Sequence, residues 1–229
     1  MATIYLIRHG QASFGQENYD QLSKKGWEQG RLLGRWLKGK VAPAAVFGGN
    51  MERHRETVEA ITGGFGDKLP DMQAVEGFNE FDHTEMVQRL RPEWADREKM
   101  TQDLAAFPKP ATAFQQVFEQ AMVRWVGGEY DGEYAETWPD FQARVITALS
   151  EMIEYTDGGH VLVSTSGGPI AVIAQHLLQL SDRKTLEMNS VIANSSVSRL
   201  LYSGSRRTLA VFNNYSHLEA EDPSLVSFR

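Results

Sequence analysis

The chain has 229 residues, with 30 acidic against 23 basic side chains, a formal net charge of -7 and no cysteine. The acidic balance excludes an overall attraction to nucleic acid or to anionic membranes, so a bound anion needs a local cationic pocket. The missing cysteines exclude disulfides, thiolate nucleophiles and cysteine-zinc sites. No apolar run reaches the roughly 18 residues that cross a bilayer, and the amino terminus has no signal-peptide pattern, so we expect a cytoplasmic protein.

The first predicted strand, residues 3–7, ends directly at Arg8 and His9. In an open α/β sheet, ligands gather outside the carboxyl ends of the strands. These two side chains are therefore candidates for chemistry. A polar loop over residues 11–21 follows them.

The next elements are a helix, a strand and a second helix. Apolar residues recur at helical spacing over residues 24–37, between Ser23 as N-cap and Gly39 as the stop signal. A short apolar run, residues 44–47, predicts a buried strand. The helix after that strand is expected to end at the glycine pair 63–64.

A third strand and helix follow later in the chain. Residues 160–165 form a continuous β-rich run, and Pro169 is predicted at the first position of the helix behind it. His176, within the apolar part of that helix, is expected to be a core residue. Two closing strands, residues 197–203 and 207–213, flank a glycine-serine turn and predict an antiparallel hairpin at the sheet edge.

Residues 81–138 contain helical and loop patterns with little that resembles a strand. A long segment between core elements is often a lid or a specificity region. We interpret it as a helical insertion that caps the active edge. The whole chain, residues 1–229, is then predicted to be one α/β domain, a three-layer sandwich with a mostly parallel central sheet.

Arg53 lies in the first turns of the second predicted helix, where its guanidinium is expected to point along the same sheet edge as Arg8 and His9. Two arginines that converge on one spot indicate a phosphoryl group, because the guanidinium fork matches phosphate oxygens. A solvated surface charge is the alternative for Arg53, since charged side chains surround it in the sequence.

Several segments carry a resemblance to a known family, and in chain order they are Ile7–Gln11, Asp20–Gly26 with Gln29, Arg53 with Thr57, Phe78–Glu80, Trp138–Val145, Val161–Gly168 and Asn194–Leu201. Their ordered combination resembles the histidine phosphatase superfamily, the phosphoglycerate mutase-like clan. Each piece is weak alone, and the combination is specific. The resemblance covers nearly the whole chain except the insertion.

The resemblance implies metal-independent hydrolysis of a phosphomonoester. His9 would attack phosphorus and form a phosphohistidine, while Arg8 and Arg53 would hold the phosphoryl oxygens. Glu80 would protonate the leaving oxygen and then activate water, a role that favours a mildly acidic optimum. The expected substrate is a phosphorylated small molecule or a phosphopeptide. No histidines stand at the spacing of a metal-binding helix, so we predict no metal and no cofactor.

One position departs from the family pattern, because Ser166 stands where the second catalytic histidine is expected. A hydroxyl cannot supply the charge of an imidazolium, and the loss of one such donor costs about 2.7 to 4 kcal/mol. The backbone amides of Gly167 and Gly168 would still bind phosphate. We expect that the serine weakens an intact enzyme, so that Ser166→His raises turnover; if another cation replaces the histidine, turnover should fall.

Three other functions stay open. The first is an impaired protein that binds a phosphorylated ligand, and the second is a phosphoglycerate mutase-type phosphotransferase. The third is a serine hydrolase in which Ser166, Asp182 and His217 follow the chain order of α/β-hydrolases. It leaves the arginines and His9 unexplained. A homodimer is neither indicated nor excluded.

Overall fold

The computed structural model describes three stretches of the chain, which are residues 2–13, 20–156 and 158–228. They divide into two units. The first unit comprises Met1–Glu80 together with Arg144–Arg229, and the second comprises Phe81–Ala143. Part of the predicted polar loop, residues 14–19, lies outside the described residues.

A six-stranded sheet forms the centre of the first unit. Its strands are β1 (Ala2–Arg8), β2 (Pro43–Gly48), β3 (Met72–Ala74), β4 (His160–Thr165), β5 (Val197–Ser203) and β6 (Arg206–Asn214). The spatial order is β3-β2-β4-β1-β5-β6. The first four strands pair in parallel, and β5 and β6 add an antiparallel hairpin at one edge. The predicted α/β fold with a mostly parallel sheet is confirmed.

Helices account for most of the remaining described residues. They are α1 (Lys24–Leu37), α2 (Glu52–Phe65), α3 (His83–Leu90), α4 (Arg97–Ala105), α5 (Pro110–Val126), α6 (Trp138–Tyr155), α7 (Gly167–Leu178), α8 (Asp182–Ser190) and α9 (Ser216–Glu219). None of these helices has the length and apolarity that crossing a bilayer requires.

One face of the sheet packs against α1 and α2. Ile7, Val46 and Leu162 project from neighbouring strands into a cluster with Leu33 and Ile61 from the two helices. Each is at most 2% exposed. Burial of a side chain of this size contributes about 1.5 to 3 kcal/mol. The cluster therefore fixes α2 against the sheet, and α2 carries several residues of the candidate site.

The contact between α1 and α2 corrects one sequence prediction. The expected helix end at Gly63 and Gly64 is wrong, because α2 continues to Phe65 and is closed by Gly66 at φ 80°. Gly64 serves another purpose: a Cβ there would lie 1.9 Å from the carbonyl oxygen of Arg31 on α1. Glycine at this position lets the two helix backbones approach closely.

Local signals at the other helix ends gave mixed results. Ser23 caps α1 by accepting from the Gly26 amide at 3.1 Å, as predicted. The helix α7 begins at Gly167, so Pro169 is its third residue and not its first. Proline is tolerated there because the first four amides of a helix have no intrahelical partner. The three-residue β3 carries too little pattern for sequence-based prediction.

The second unit is helical in its described residues. Its centre is a group of aromatic rings in which Trp125 lies 5.2 Å from Phe81, 5.2 Å from Trp138 and 5.7 Å from Phe141 between ring centroids. Trp125 is fully buried and donates through its indole N–H to the Glu136 carbonyl at 2.8 Å. The predicted role of this unit as a cap over the active edge stays a prediction.

Candidate active site

His9 follows β1 at the carboxyl edge of the parallel strands. Its backbone amide donates to the Thr165 carbonyl at 2.8 Å. On the other side its own carbonyl accepts from the Ser195 amide at 3.2 Å and from Asn194 Nδ2 at 3.3 Å. The residue is therefore held between β4 and the segment that leads into β5.

The His9 ring has a defined tautomer. Nδ1 lies 2.7 Å from the Gly10 carbonyl oxygen, which can only accept, so Nδ1 carries the proton and Nε2 keeps its lone pair. Burial lowers the pKa of His9 well below its usual value, and the charges of Arg53 and Arg8 lower it further. His54 acts in the same direction. The ring is neutral near pH 7, as a nucleophile must be.

Arg53 is buried, with its side chain 6% exposed, so the alternative of a solvated surface charge is wrong. Its Nη1 donates to Asp20 Oδ1 at 2.5 Å, and Asp20 Oδ2 accepts from the Glu52 amide at 2.7 Å. Thr57 links this helix to the His9 loop, because its hydroxyl donates to the Arg53 carbonyl and accepts from the Gly10 amide. The guanidinium is thus fixed by charge and by the helix.

Arg8 uses one nitrogen on the backbone. Its Nη1 donates to the carbonyl oxygens of Ile192 and Phe228. Its Nε lies 3.8 Å from the place where a Cβ on Gly167 would stand, and that Cβ would also lie 2.5 Å from Asn189 Oδ1. A side chain at position 167 would therefore have to displace the Asn189 amide, while the distance to Arg8 is an ordinary van der Waals contact.

Glu80 reaches the amino terminus of α7. Its Oε2 accepts from the Gly168 amide at 3.2 Å, so this amide, expected to face phosphate, binds the carboxylate instead. A clamp holds the loop before Glu80, because Arg144 Nη1 donates to three carbonyl oxygens, those of Glu76 (3.1 Å), Gly77 (3.2 Å) and Asn79 (3.2 Å).

Ser166 lies beside a histidine that the sequence interpretation did not place. His54 Nε2 is 2.8 Å from Ser166 Oγ, and both residues are fully buried. Burial, with the adjacent Arg53 charge, lowers the pKa of His54 to about 3, while the Gly49 backbone opposes that shift. The ring centroids of His54 and His9 are 5.7 Å apart.

A helical period would have revealed His54. The buried residues of α2 have the spacing of one helix face, and they are Arg53, His54, Thr57, Ala60, Ile61 and Phe65. Asp20 has no comparable signal, since only the fold brings it to Arg53.

The serine hydrolase constellation is not assembled. His217 Nε2 lies 3.4 Å from Ser195 Oγ, and Asp182 Oδ1 accepts from Gln175 Nε2 at 2.7 Å. The histidine next to Ser166 is His54. In the described ranges, no three histidine or carboxylate side chains are grouped so that they could hold a metal ion.

A sequence model of the histidine phosphatase superfamily (branch 1) matches residues 4–215. No curated protein sequence matches the chain. Among solved structures, YhfR from Bacillus stearothermophilus has a TM-score of 0.71 at 21% identity, over 95% of this chain and 100% of that one.

Two further structures have the same fold. Phosphoglycerate mutase from Bacillus anthracis has a TM-score of 0.67 at 17% identity, over 95% of both chains. A phosphoserine phosphatase mutant from Entamoeba histolytica, in complex with phosphoserine, has a TM-score of 0.66 at 15% identity, over 95% of this chain and 100% of that one. Relatives with this fold thus include both mutases and phosphatases.

Proposed function

The chain belongs to the histidine phosphatase superfamily, and we propose that it is a metal-independent phosphomonoester hydrolase that works through a phosphohistidine on His9. One observation carries the proposal. The Nδ1 proton of His9 is bound by the Gly10 carbonyl, so the lone pair stays on Nε2, and the charge of the buried Arg53 lowers the pKa of this ring. A neutral, oriented imidazole next to a fixed guanidinium suits attack on a phosphoryl group.

In the first step, His9 Nε2 attacks phosphorus in line with the ester oxygen. The N–P bond forms as the P–O ester bond breaks, and Glu80 gives its proton to the leaving oxygen. Arg53 and Arg8 bind the equatorial oxygens, where negative charge is concentrated. For Arg8, a phosphoryl oxygen competes with the two backbone carbonyls that Nη1 binds.

In the second step, water attacks the phosphohistidine and Glu80 takes its proton. The N–P bond breaks, its electron pair returns to Nε2, and inorganic phosphate leaves. The division into two displacements lowers the barrier of each. The position of the Glu80 carboxylate on the Gly168 amide, with its loop clamped by Arg144, supports this role.

The substrate class that we propose is a phosphorylated small molecule or a phosphopeptide. With a formal net charge of -7, the protein attracts anions only locally, through Arg8 and Arg53. A panel of phosphorylated metabolites and phosphopeptides, assayed across pH 5 to 8, tests this class. Transfer of phosphate within 3-phosphoglycerate, in place of release, would favour the mutase-type alternative.

The decisive experiment traps the intermediate. Brief incubation with a phosphate ester followed by an alkaline quench should leave an acid-labile, base-stable phosphoryl group on the protein, and His9→Ala should remove it. His176→Ala is a matched control, because this histidine is exposed on α7. Loss of activity in EDTA, or an unchanged label in His9→Ala, would overturn the assignment.

A further inference from the structure

Ser166 is an N-cap residue that does not cap. It precedes α7 in extended backbone (φ -116°, ψ 176°), and its side chain makes no hydrogen bond to the helix. Serine at this position usually accepts from the second or third helical amide. Here the second amide, of Gly168, donates to Glu80, and the third residue is Pro169, which has none. The hydroxyl is used for a different purpose.

The partner of this hydroxyl is His54, which is fully buried on α2. Its Nε2 lies 2.8 Å from Ser166 Oγ. The other side of the ring lies against Gly49, where a Cβ would stand 2.4 Å from Nδ1. A glycine and a serine, both small, thus leave the volume that the imidazole fills.

The two positions compete for one volume. Suppose that a histidine at position 166 took the rotamer of Ser166. Its Cγ would then lie near the present Oγ, which is 2.8 Å from His54 Nε2. The rest of its ring would overlap the His54 ring. A histidine at 166 in this rotamer and a histidine at 54 therefore exclude each other. This chain carries the imidazole on α2.

The His54 ring lies against the proposed nucleophile. Its centroid is 5.7 Å from that of His9, and the two planes are inclined by 42°. The charged and titratable groups that face His9 are Arg53, Arg8 and His54, and burial is the largest cause of its lowered pKa. A ring fixed by Ser166 excludes water from that side of His9.

We propose that His54 is a positioning residue for His9, held by its hydrogen bond to Ser166, and that it fills the volume a histidine at position 166 would take. The inference deepens the proposed function of His9 as the nucleophile. It also assigns a use to the serine that departs from the family pattern. His54 acts through packing and orientation, with no contact to the phosphoryl group.

The first test uses NMR and needs no turnover. The pKa of His9 is measured from its ring resonances in the wild type and in variants at position 54. His54→Ala should raise the pKa of His9 by about one unit, because water reaches the ring and desolvation decreases. His54→Gln should keep it close to the wild-type value, because the amide fills similar volume and can still form a hydrogen bond with the Ser166 hydroxyl. His176→Ala is the matched control.

The second test exchanges the imidazole between positions. The sequence alone predicts a gain of turnover in Ser166→His. With His54 Nε2 2.8 Å from Ser166 Oγ, we expect this variant to lower turnover of p-nitrophenyl phosphate by tenfold or more, because two rings compete for one space. His54→Ala should lower it by about 10- to 100-fold, through misplacement of His9. The double variant, His54→Ala with Ser166→His, should turn over p-nitrophenyl phosphate at least ten times faster than Ser166→His alone, because the ring at position 166 then has the space to itself.

The outcomes separate this proposal from the proposed function. Failure of the wild type to form a phosphohistidine would overturn the nucleophile but not the NMR result. An unchanged pKa of His9 in His54→Ala would overturn the positioning role, and so would a gain of turnover in Ser166→His with His54 intact. If His54→Ala does not fold, Ser166→Ala tests the same hydrogen bond and should raise the pKa of His9 by a smaller amount.

Discussion

The two ends of the candidate site hold their side chains by different forces. In the arginine corner, Arg53 is fixed by the carboxylate of Asp20. In the serine corner, which comprises Ser166, His54 and Glu80, the link between Ser166 and His54 is a buried bond of an imidazole that is neutral near pH 7. A guanidinium is charged at every accessible pH, whereas a buried neutral imidazole becomes protonated when the pH is low enough. The first corner supplies charge, and the second supplies position.

The largest effect is expected in the arginine corner. Arg53→Ala should reduce turnover of every phosphate ester by about 10³-fold or more, because an arginine on the transferring group is worth that much. Vanadate binding should weaken in parallel, as measured by inhibition or calorimetry. Arg55→Ala is the control, since that side chain is 67% exposed. Full vanadate affinity in Arg53→Ala would assign the phosphoryl site to other groups.

The next effect concerns the acid of the serine corner. Glu80→Gln should slow alkyl phosphates by about 10²-fold or more, because their leaving oxygen needs a proton. p-Nitrophenyl phosphate, which departs without much help, should slow far less. Steady-state rates on both substrates give the comparison, with the exposed Glu59→Gln as control. Equal losses on both substrates would contradict general acid catalysis by Glu80.

A smaller effect should follow from loss of the arginine's partner. Asp20→Ala leaves Arg53 in place but frees its guanidinium, so we expect about a tenfold loss of turnover through poorer positioning. Asp71→Ala, a change at a side chain that is 91% exposed, should have no effect. A loss as large as that of Arg53→Ala would mean that Asp20 itself takes part in the chemistry.

Acid should weaken the serine corner selectively. The pKa of His54 is about 3 in the folded protein and about 6.5 in the unfolded chain. Its contribution to the free energy of unfolding is therefore complete above pH 6.5 and decreases as the pH falls towards 3. At pH 5 the free energy of unfolding has decreased by about 2 kcal/mol on account of this group. Urea unfolding at pH 7.5 and 5 measures it, and His54→Gln should reduce the difference by about that amount. An unchanged difference would show that the wild-type ring is not held neutral.

The last effects concern the stability of the helix that carries Arg53 and His54, and leave the chemistry of the site unchanged. Gly64→Ala should destabilise the protein by about 1 to 3 kcal/mol, because the new methyl meets the Arg31 backbone. Gly63→Ala has open space and should stabilise it by up to about 1 kcal/mol through helix propensity. Thermal or urea unfolding of the two variants measures both changes in stability. Equal effects would mean that α1 and α2 are not packed closely.

Local patterns predicted those parts of the fold that depend on local forces. The strand before Arg8 and the cap at Ser23 follow from residue type and spacing, and the structure confirms both. His176 shows the limit: the apolar run around it predicts a core residue, yet the histidine is exposed. The last turn of α7 faces solvent as a whole, since Leu178 in the same turn is 48% exposed.

The candidate site depends on contacts that are distant in sequence. The bond between His54 and Ser166 joins residues 112 positions apart, and that between Asp20 and Arg53 joins residues 33 apart. The family resemblance showed which family position Ser166 occupies, but it could not show that His54 is its partner. The roles proposed for His9 and Glu80 are still predictions for experiment.

The clamp by Arg144 bears on how this protein diverges among relatives. Through Nη1 its guanidinium binds three backbone carbonyl oxygens of the loop before Glu80. Asn79 also uses its side chain, which accepts from the Asn50 amide at 2.6 Å, but every amino acid offers the same carbonyl, so the three carbonyl bonds do not depend on residue type. Gly77 is the exception, since a Cβ there would lie 2.3 Å from that of Ala148. Drift in this loop can therefore alter its outer surface while the proposed catalytic acid stays in register.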